Sequence, residues 1–159
     1  MSDTMHIREI RADDTERVNA FFAAMGPESA AFFNRFHGNQ NYLLKNMGDP
    51  GEDKRFWMAE ENGEMLGYVF CFEWDTSIPW LGIAVREDQK GRHLGRQLIA
   101  YAQQQVKDAG KGGLQLTTHQ ANLRGQILYE TMGFRRIGTH GASGEVYYLF
   151  AFRPENMES

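Results

Sequence analysis

The stretch WLGIAVREDQKGRHLGRQLIAYAQQQV, residues 80–106, constrains the fold more than any other. WLGIAV is an apolar run of strand length, and it ends in a charged turn punctuated by Gly91 and Gly95. Leu94, Leu98, Ala102 and Val106 then recur at helical spacing, which predicts a helix from about residue 92 to 109. The strand LQLTT follows directly after Gly112-Gly113. A strand, a helix and a second strand in this order make a crossover unit, so the two strands pair in parallel.

Antiparallel elements flank that centre. RFWMAEENGEMLGYVFCFEW contains two apolar-aromatic runs joined through Asn62-Gly63, the pair that a tight type I′ turn prefers. HIREI alternates like a first strand, and FRRIG and EVYYLFAF close the chain as strands. ADDTERVNAFFAAMG starts with Asp13, has Glu16 three residues later, and sets Val18, Phe21, Phe22 and Met25 on one helical face. That is a capping-box-like start to an amphipathic helix ended by Gly26-Pro27. ESAAFFNRF and NQNYLLKNM read as short helical pieces. From Asn122 to Met132 a helix is expected, with Leu123, Ile127, Leu128 and Met132 toward the core and Gly133 just past its end. The class is mixed α/β, of the α+β kind. A chain of 159 residues is most simply one domain, 1–159, with residues 154–159 as a frayed tail.

Several functional classes are disfavoured. A net charge of −4 argues against a nucleic-acid partner. No apolar run reaches membrane-span length and MSDTMHIREI lacks a signal-peptide core, so no membrane partner is expected and the location is expected to be cytoplasmic. The single cysteine, Cys71, lies inside GYVFCFEW and reads as a small buried hydrophobe.

The turn itself carries chemistry. The first N–H groups of a helix have no partner inside it, and the helix dipole adds partial positive charge there. Gly91 and Gly95 leave that backbone uncovered, while Lys90, Arg92, His93 and Arg96 add cationic or titratable side chains. A pyrophosphate is the natural guest, with plain helix capping as the competing account. In THQANLRGQILYETMGFRRIG, residues Asn122, Gly125, Gln126 and Tyr129 fall three, four and seven apart. They form one stripe carrying a carboxamide, a gap and a phenol, away from the expected core face.

In this order the two stretches resemble the GCN5-related N-acetyltransferase (GNAT) family. Lys90-Gly91-Arg92-His93-Leu94-Gly95 matches its acetyl-CoA motif, and Asn122, Leu128-Tyr129 and Gly133-Phe134 match its second motif. His93 stands where the family commonly has its middle glycine, Lys90 where Gln or Arg is usual, and Gly125 where alanine is frequent. The resemblance implies a mostly antiparallel central sheet of six to seven strands, with a splayed parallel pair at its centre and about four flanking helices. It implies acetyl-CoA as cosubstrate, no metal, and direct attack on the thioester by an amine, from either a small molecule or a peptide. Ile83, Ala84 and Val85 would then bind the pantetheine arm, and Lys90 to Gly95 (Lys90, Gly91, Arg92, His93, Leu94 and Gly95) with Arg96 the pyrophosphate. Asn122 would sit near the acyl end and Tyr129 would protonate the departing thiolate. Glu73 and His119 are the candidates for general base. Phe33, Tyr42, Trp74 and Asp75, with Trp80 beside them, are candidates for the acceptor pocket, where an aromatic wall with a carboxylate would suit a cationic amine. A non-catalytic acyl-CoA-binding module, and a transferase using another acyl group or a hydroxyl acceptor, are the competing readings. A homodimer formed across the aromatic C-terminal strand is a further expectation.

Overall fold

A computed structural model describes residues 5–25, 39–89 and 91–152. Among these, seven strands form one sheet in the order β1-β2-β3-β4-β5-β7-β6. The strands are β1 (His6–Glu9), β2 (Lys54–Glu61), β3 (Glu64–Phe72), β4 (Trp80–Val85), β5 (Gly113–Thr118), β6 (Arg135–Thr139) and β7 (Val146–Ala151). Four α-helices flank it: α1 (Thr15–Ala23), α2 (Gln40–Asn46), α3 (Leu94–Asp108) and α4 (Leu123–Thr131). All neighbouring pairs are antiparallel except β4 and β5, which are parallel as the crossover requires.

Local chemistry accounts for most boundaries. Asn62 (φ 54°) and Gly63 (φ 77°) both take positive φ, so the β2–β3 hairpin closes on the expected turn. Asn39 caps α2 by accepting from the Tyr42 amide at 3.1 Å. The start of α1 differs from expectation. Asp13 is exposed, a 3-10 turn spans Ala12–Asp14, and it is Asp14 that is fully buried. The Asp14 carboxylate accepts from the Arg11 amide at 2.7 Å and from two nitrogens of Arg8 at 2.9 and 2.8 Å. A first-turn pattern of two adjacent aspartates cannot say which of them turns inward.

Each sheet face carries its own core. On one, Leu98, Ile99, Ala102 and Val106 of α3 pack on Val69, Cys71, Leu114, Leu116 and Tyr148. Each fully buried aliphatic side chain there contributes roughly 2 kcal/mol. Cys71 is fully buried, and desolvation pushes its thiol well above the ordinary range. On the other face, Phe21 of α1 and Leu43 of α2 pack on Phe56, Tyr68 and Phe70, with Phe21 and Phe22 meeting Tyr68 edge-on at 5.8 and 6.0 Å. Strand β7 lies between β5 and β6, so both its edges are taken and it offers none for pairing with a second copy. No helix among the described residues is long and apolar enough to cross a membrane.

Candidate active site

The parallel pair β4–β5 holds together at one register position only, Trp80 opposite Gln115, where the Gln115 amide donates to Pro79 at 3.0 Å. Beyond that point the strands part. On its other edge β4 is paired with β3, and the Arg86 amide donates to Leu66 at 3.0 Å. Antiparallel alternation then turns the backbone groups of Ile83 and Val85 away from β3 and into the opening. Gly82 is required here, because a Cβ at that position would collide with the Phe70 ring. The opening widens into a cleft of about 880 Å³.

One wall of the cleft is the start of α3. Gly91 has φ 91° and His93 has φ 62°, so the turn keeps a left-handed residue just before Leu94 although that residue is a histidine. Such a conformation costs roughly 1–2 kcal/mol in a side-chain-bearing residue. The amides of His93, Leu94, Gly95 and Arg96 have no hydrogen-bond partner among the described residues. Gly91, His93, Leu94, Gly95 and Arg96 line the cleft. Gly95 also lets α3 and α4 approach, since an added Cβ would lie 2.8 Å from Leu128 Cδ2. Arg92 turns the other way, its guanidinium 3.0 Å from both oxygens of Glu61. Lys90 lies outside the described residues.

Helix α4 forms the opposite wall. Asn122 Oδ1 accepts from the Gly125 amide at 3.1 Å, and its Nδ2 donates to Thr118 Oγ1 at 2.9 Å. A Cβ on residue 125 would collide with that carboxamide, so the glycine and the cap go together. Tyr129 is 8% exposed, between Phe134 and Tyr148 at ring distances of 6.0 and 5.9 Å, and its hydroxyl has no hydrogen-bond partner among the described residues. Burial, with Tyr148 adding to it, pushes the phenol above its ordinary value, so it stays protonated at neutral pH. Half of the expected core face of this helix is corrected: Leu128 and Met132 do pack on the core. Leu123 and Ile127 are 65% and 66% exposed, while the stripe holding Asn122, Gly125 and Tyr129 turns inward. Two stripes at helical spacing run along this segment, and hydrophobicity alone wrongly adds the outer Leu123 and Ile127 to the core face.

The remaining candidates divide. Glu73, with φ 53°, is exposed at the cleft mouth, and His119 lines the cleft with Nδ1 accepting from the Ala121 amide at 3.0 Å. Trp74 is elsewhere: it packs on Trp57 at 5.8 Å, with Arg55 and Lys111 over its ring. Tyr42 belongs to the core beneath α2, against Phe56 and Phe72. Asp75 sits exposed in the β3–β4 turn outside the cleft lining, and Phe33 lies outside the described residues. Trp80, expected in the acceptor pocket, does line the cleft, and so do Thr117, His140 and Glu145, which sequence reasoning passed over. Thr117 is signalled only by alternation along its strand, and His140 and Glu145 lie outside the strands, in the β6–β7 connection, where no short pattern marks them.

The profile of the Acetyltransferase (GNAT) family matches residues 9–134. Among solved structures, the PaiA N-acetyltransferase from Thermoplasma acidophilum in complex with coenzyme A is similar at 16% identity and a TM-score of 0.78, over 94% of this chain and 99% of that one. The GNAT domain of S. lividans PAT gives 16% identity and a TM-score of 0.79, over 95% and 96%. Aminoglycoside acetyltransferase AAC(6')-Ib in complex with coenzyme A and kanamycin gives 19% and 0.73, over 98% and 100%. No curated protein sequence matches the chain significantly.

Proposed function

The chain belongs to the GNAT family of acetyltransferases, and on that premise we propose that it transfers the acetyl group of acetyl-CoA to the nitrogen of a small-molecule amine. The observation that carries this reading is one cleft holding, among the described residues, an unpaired β4 edge, an uncovered helix start and an unpartnered phenol. The donor set fits a pantetheine-pyrophosphate ligand. The backbone groups of Ile83 and Val85 can bind an extended amide chain as a neighbouring strand would, with Ala84 between them. The amides from His93 to Arg96, with the Arg96 side chain, suit a diphosphate. The coenzyme A and kanamycin in the AAC(6')-Ib complex support an amine acceptor of small-molecule size.

Acetyl-CoA supplies a thioester carbon open to attack. As the C–N bond forms and the C–S bond breaks, the sulfur leaves as a thiolate and takes its proton from the Tyr129 hydroxyl. Asn122, held by Thr118 and Gly125, orients the acyl end of the cleft. The proton of the attacking ammonium passes to a base at the cleft, for which Glu73 and His119 are the proposed groups.

Calorimetric titration of acetyl-CoA beside desulfo-CoA and ADP tests the reading. Micromolar binding that needs both the pyrophosphate and the pantetheine is expected, followed by thiol release on addition of amines. No binding at millimolar acetyl-CoA would overturn it.

A further inference from the structure

One carboxylate in the cleft has no part in the transfer scheme above. Glu145 immediately precedes β7 and is only 9% exposed. Its Oε1 accepts from the Thr117 hydroxyl at 2.9 Å. Its second oxygen has no hydrogen-bond donor, and no cation lies within ion-pair distance of the carboxylate, among the described residues. A nearly buried carboxylate is unfavourable without an opposite charge. Among the described residues it is offered a single neutral hydroxyl, and the carboxylate lines the cleft.

Its surroundings are built for a cation. In the β5–β7 ladder Thr117 stands opposite Tyr147. Leu116, Val146 and Tyr148 turn into the core under α3, so alternation puts Thr117, Glu145 and Tyr147 on the other face. On that face the Trp80 ring stacks on Tyr147 at 5.6 Å and 20°. Carrying the Trp80–Gln115 register two residues onward sets Thr117 across the opening from Gly82, beside the β4 edge assigned to the cofactor. An acceptor approaching that edge from the α1–α2 side of the sheet meets aromatic faces and an uncompensated negative charge together.

We propose that Glu145 is the acceptor's cation anchor. It binds the ammonium form in which an amine arrives, with the acceptor's carbon body on the Trp80–Tyr147 wall, and so selects cationic amines over neutral ones. The proposal rests on the acetyl-transfer reading and names the charge its acceptor carries.

The test is calorimetric titration of tyramine and of its neutral counterpart tyrosol into the full chain, with and without coenzyme A. Wild type is expected to bind tyramine about tenfold more tightly than tyrosol, the scale of one hydrogen bond to a charged group. Glu145→Gln is expected to remove that preference while leaving coenzyme A affinity unchanged. Glu145→Met, which keeps the length of the side chain and removes the charge, is expected to lose the preference too and serves if the glutamine variant does not fold. Equal binding of the two probes by wild type, including no binding of either at millimolar concentration, overturns the anchor. So does a tyramine preference that survives in Glu145→Gln. Failure of wild type to bind coenzyme A would instead sink the acetyl-transfer reading and leave the tyramine comparison to be judged on the protein alone.

Discussion

Asn122 Nδ2 donates to Thr118 Oγ1 at 2.9 Å, which ties the last residue of β5 to the cap of α4 in the lining of the cleft. The same side chain accepts from the Gly125 amide, so one carboxamide fixes both the helix start and its distance from the strand. Asn122→Ala removes both bonds. The lost cap is worth about 1 kcal/mol, which in a chain of this size lowers Tm by about 2–4 °C. Asn122→Asp keeps the acceptor for Gly125 but loses the donor to Thr118, and should fall between the two. Differential scanning calorimetry reads both, and an unchanged Tm in the alanine variant would show that the cap carries no stability.

The Tyr129 phenol is buried, unpartnered at its hydroxyl among the described residues, and kept protonated at neutral pH by desolvation, so a proton is in place on it at the cleft. Tyr129→Phe should lower turnover by about a hundredfold, in the range for loss of one acid-base group, with acetyl-CoA affinity nearly unchanged. Steady-state kinetics with calorimetry separates the two effects. An unchanged rate would remove Tyr129 from the acid role.

Burial also ties these phenols to stability at high pH. Tyr68, Tyr129 and Tyr148 all have folded-state values above the ordinary one; Tyr148, buried and donating to Glu130 at 2.6 Å, is pushed up to about 12. A raised value means the folded state holds its proton after the unfolded chain has lost it. The resulting stability is therefore full below about pH 10, where the unfolded phenols titrate, and declines as pH rises beyond it. Chemical denaturation between pH 8 and 12 should show a flat region and then a fall. Tyr148→Phe should make that fall shallower, and an identical slope in the variant would exclude Tyr148 as a contributor.

The acid limb has a different origin. Burial alone would raise the Asp14 carboxyl, but the hydrogen bonds from Arg8 and the Arg11 amide outweigh it and hold the group below its usual range. Arg8 likewise holds Glu60 down, donating to it at 2.8 Å. Depressed carboxylates contribute stability that is complete above their unfolded values near pH 4 and lost as pH falls through the folded ones. Asp14→Asn leaves Arg8 without its two-point partner and should cost roughly 3 kcal/mol at pH 7. It should also flatten the stability profile between about pH 4 and 2. A variant as acid-sensitive as wild type would place the acid transition elsewhere.

Local order was legible wherever a short pattern has one physical solution. The Asn62-Gly63 turn, the buried stripe of α3 and the parallel β4–β5 crossover are of that kind. The face of α4 was not, because Leu123 and Ile127 repeat at the same spacing as Asn122, Gly125 and Tyr129, and only packing against β5 and β7 decides between them. Nor could Glu145 be connected with Thr117, since β7 inserts between β5 and β6 and the two residues are 28 positions apart. Trp74 and Trp80 lie six residues apart, yet one packs under α3 and the other faces the cleft. A turn between them reverses the chain, and composition cannot say which ring ends up on which side.

The glycine at position 91 separates backbone strain from charge. Its φ of 91° is one that a side chain adopts with difficulty, but the space around a Cβ there is empty. Gly91→Ala should therefore cost about 1 kcal/mol of stability through conformation alone, with only a small loss of acetyl-CoA affinity. Gly91→Asp carries the same strain and adds a carboxylate beside the amides assigned to the diphosphate. Its affinity should fall by a further tenfold or about that, the size of one unfavourable close charge contact, and the gap between the two variants should narrow as salt rises. Titration of acetyl-CoA into both proteins at low and high ionic strength measures it. Equal affinities for Ala and Asp at low salt would mean that the α3 turn caps a helix and does not hold an anion, and the pyrophosphate would have to lie elsewhere in the cleft.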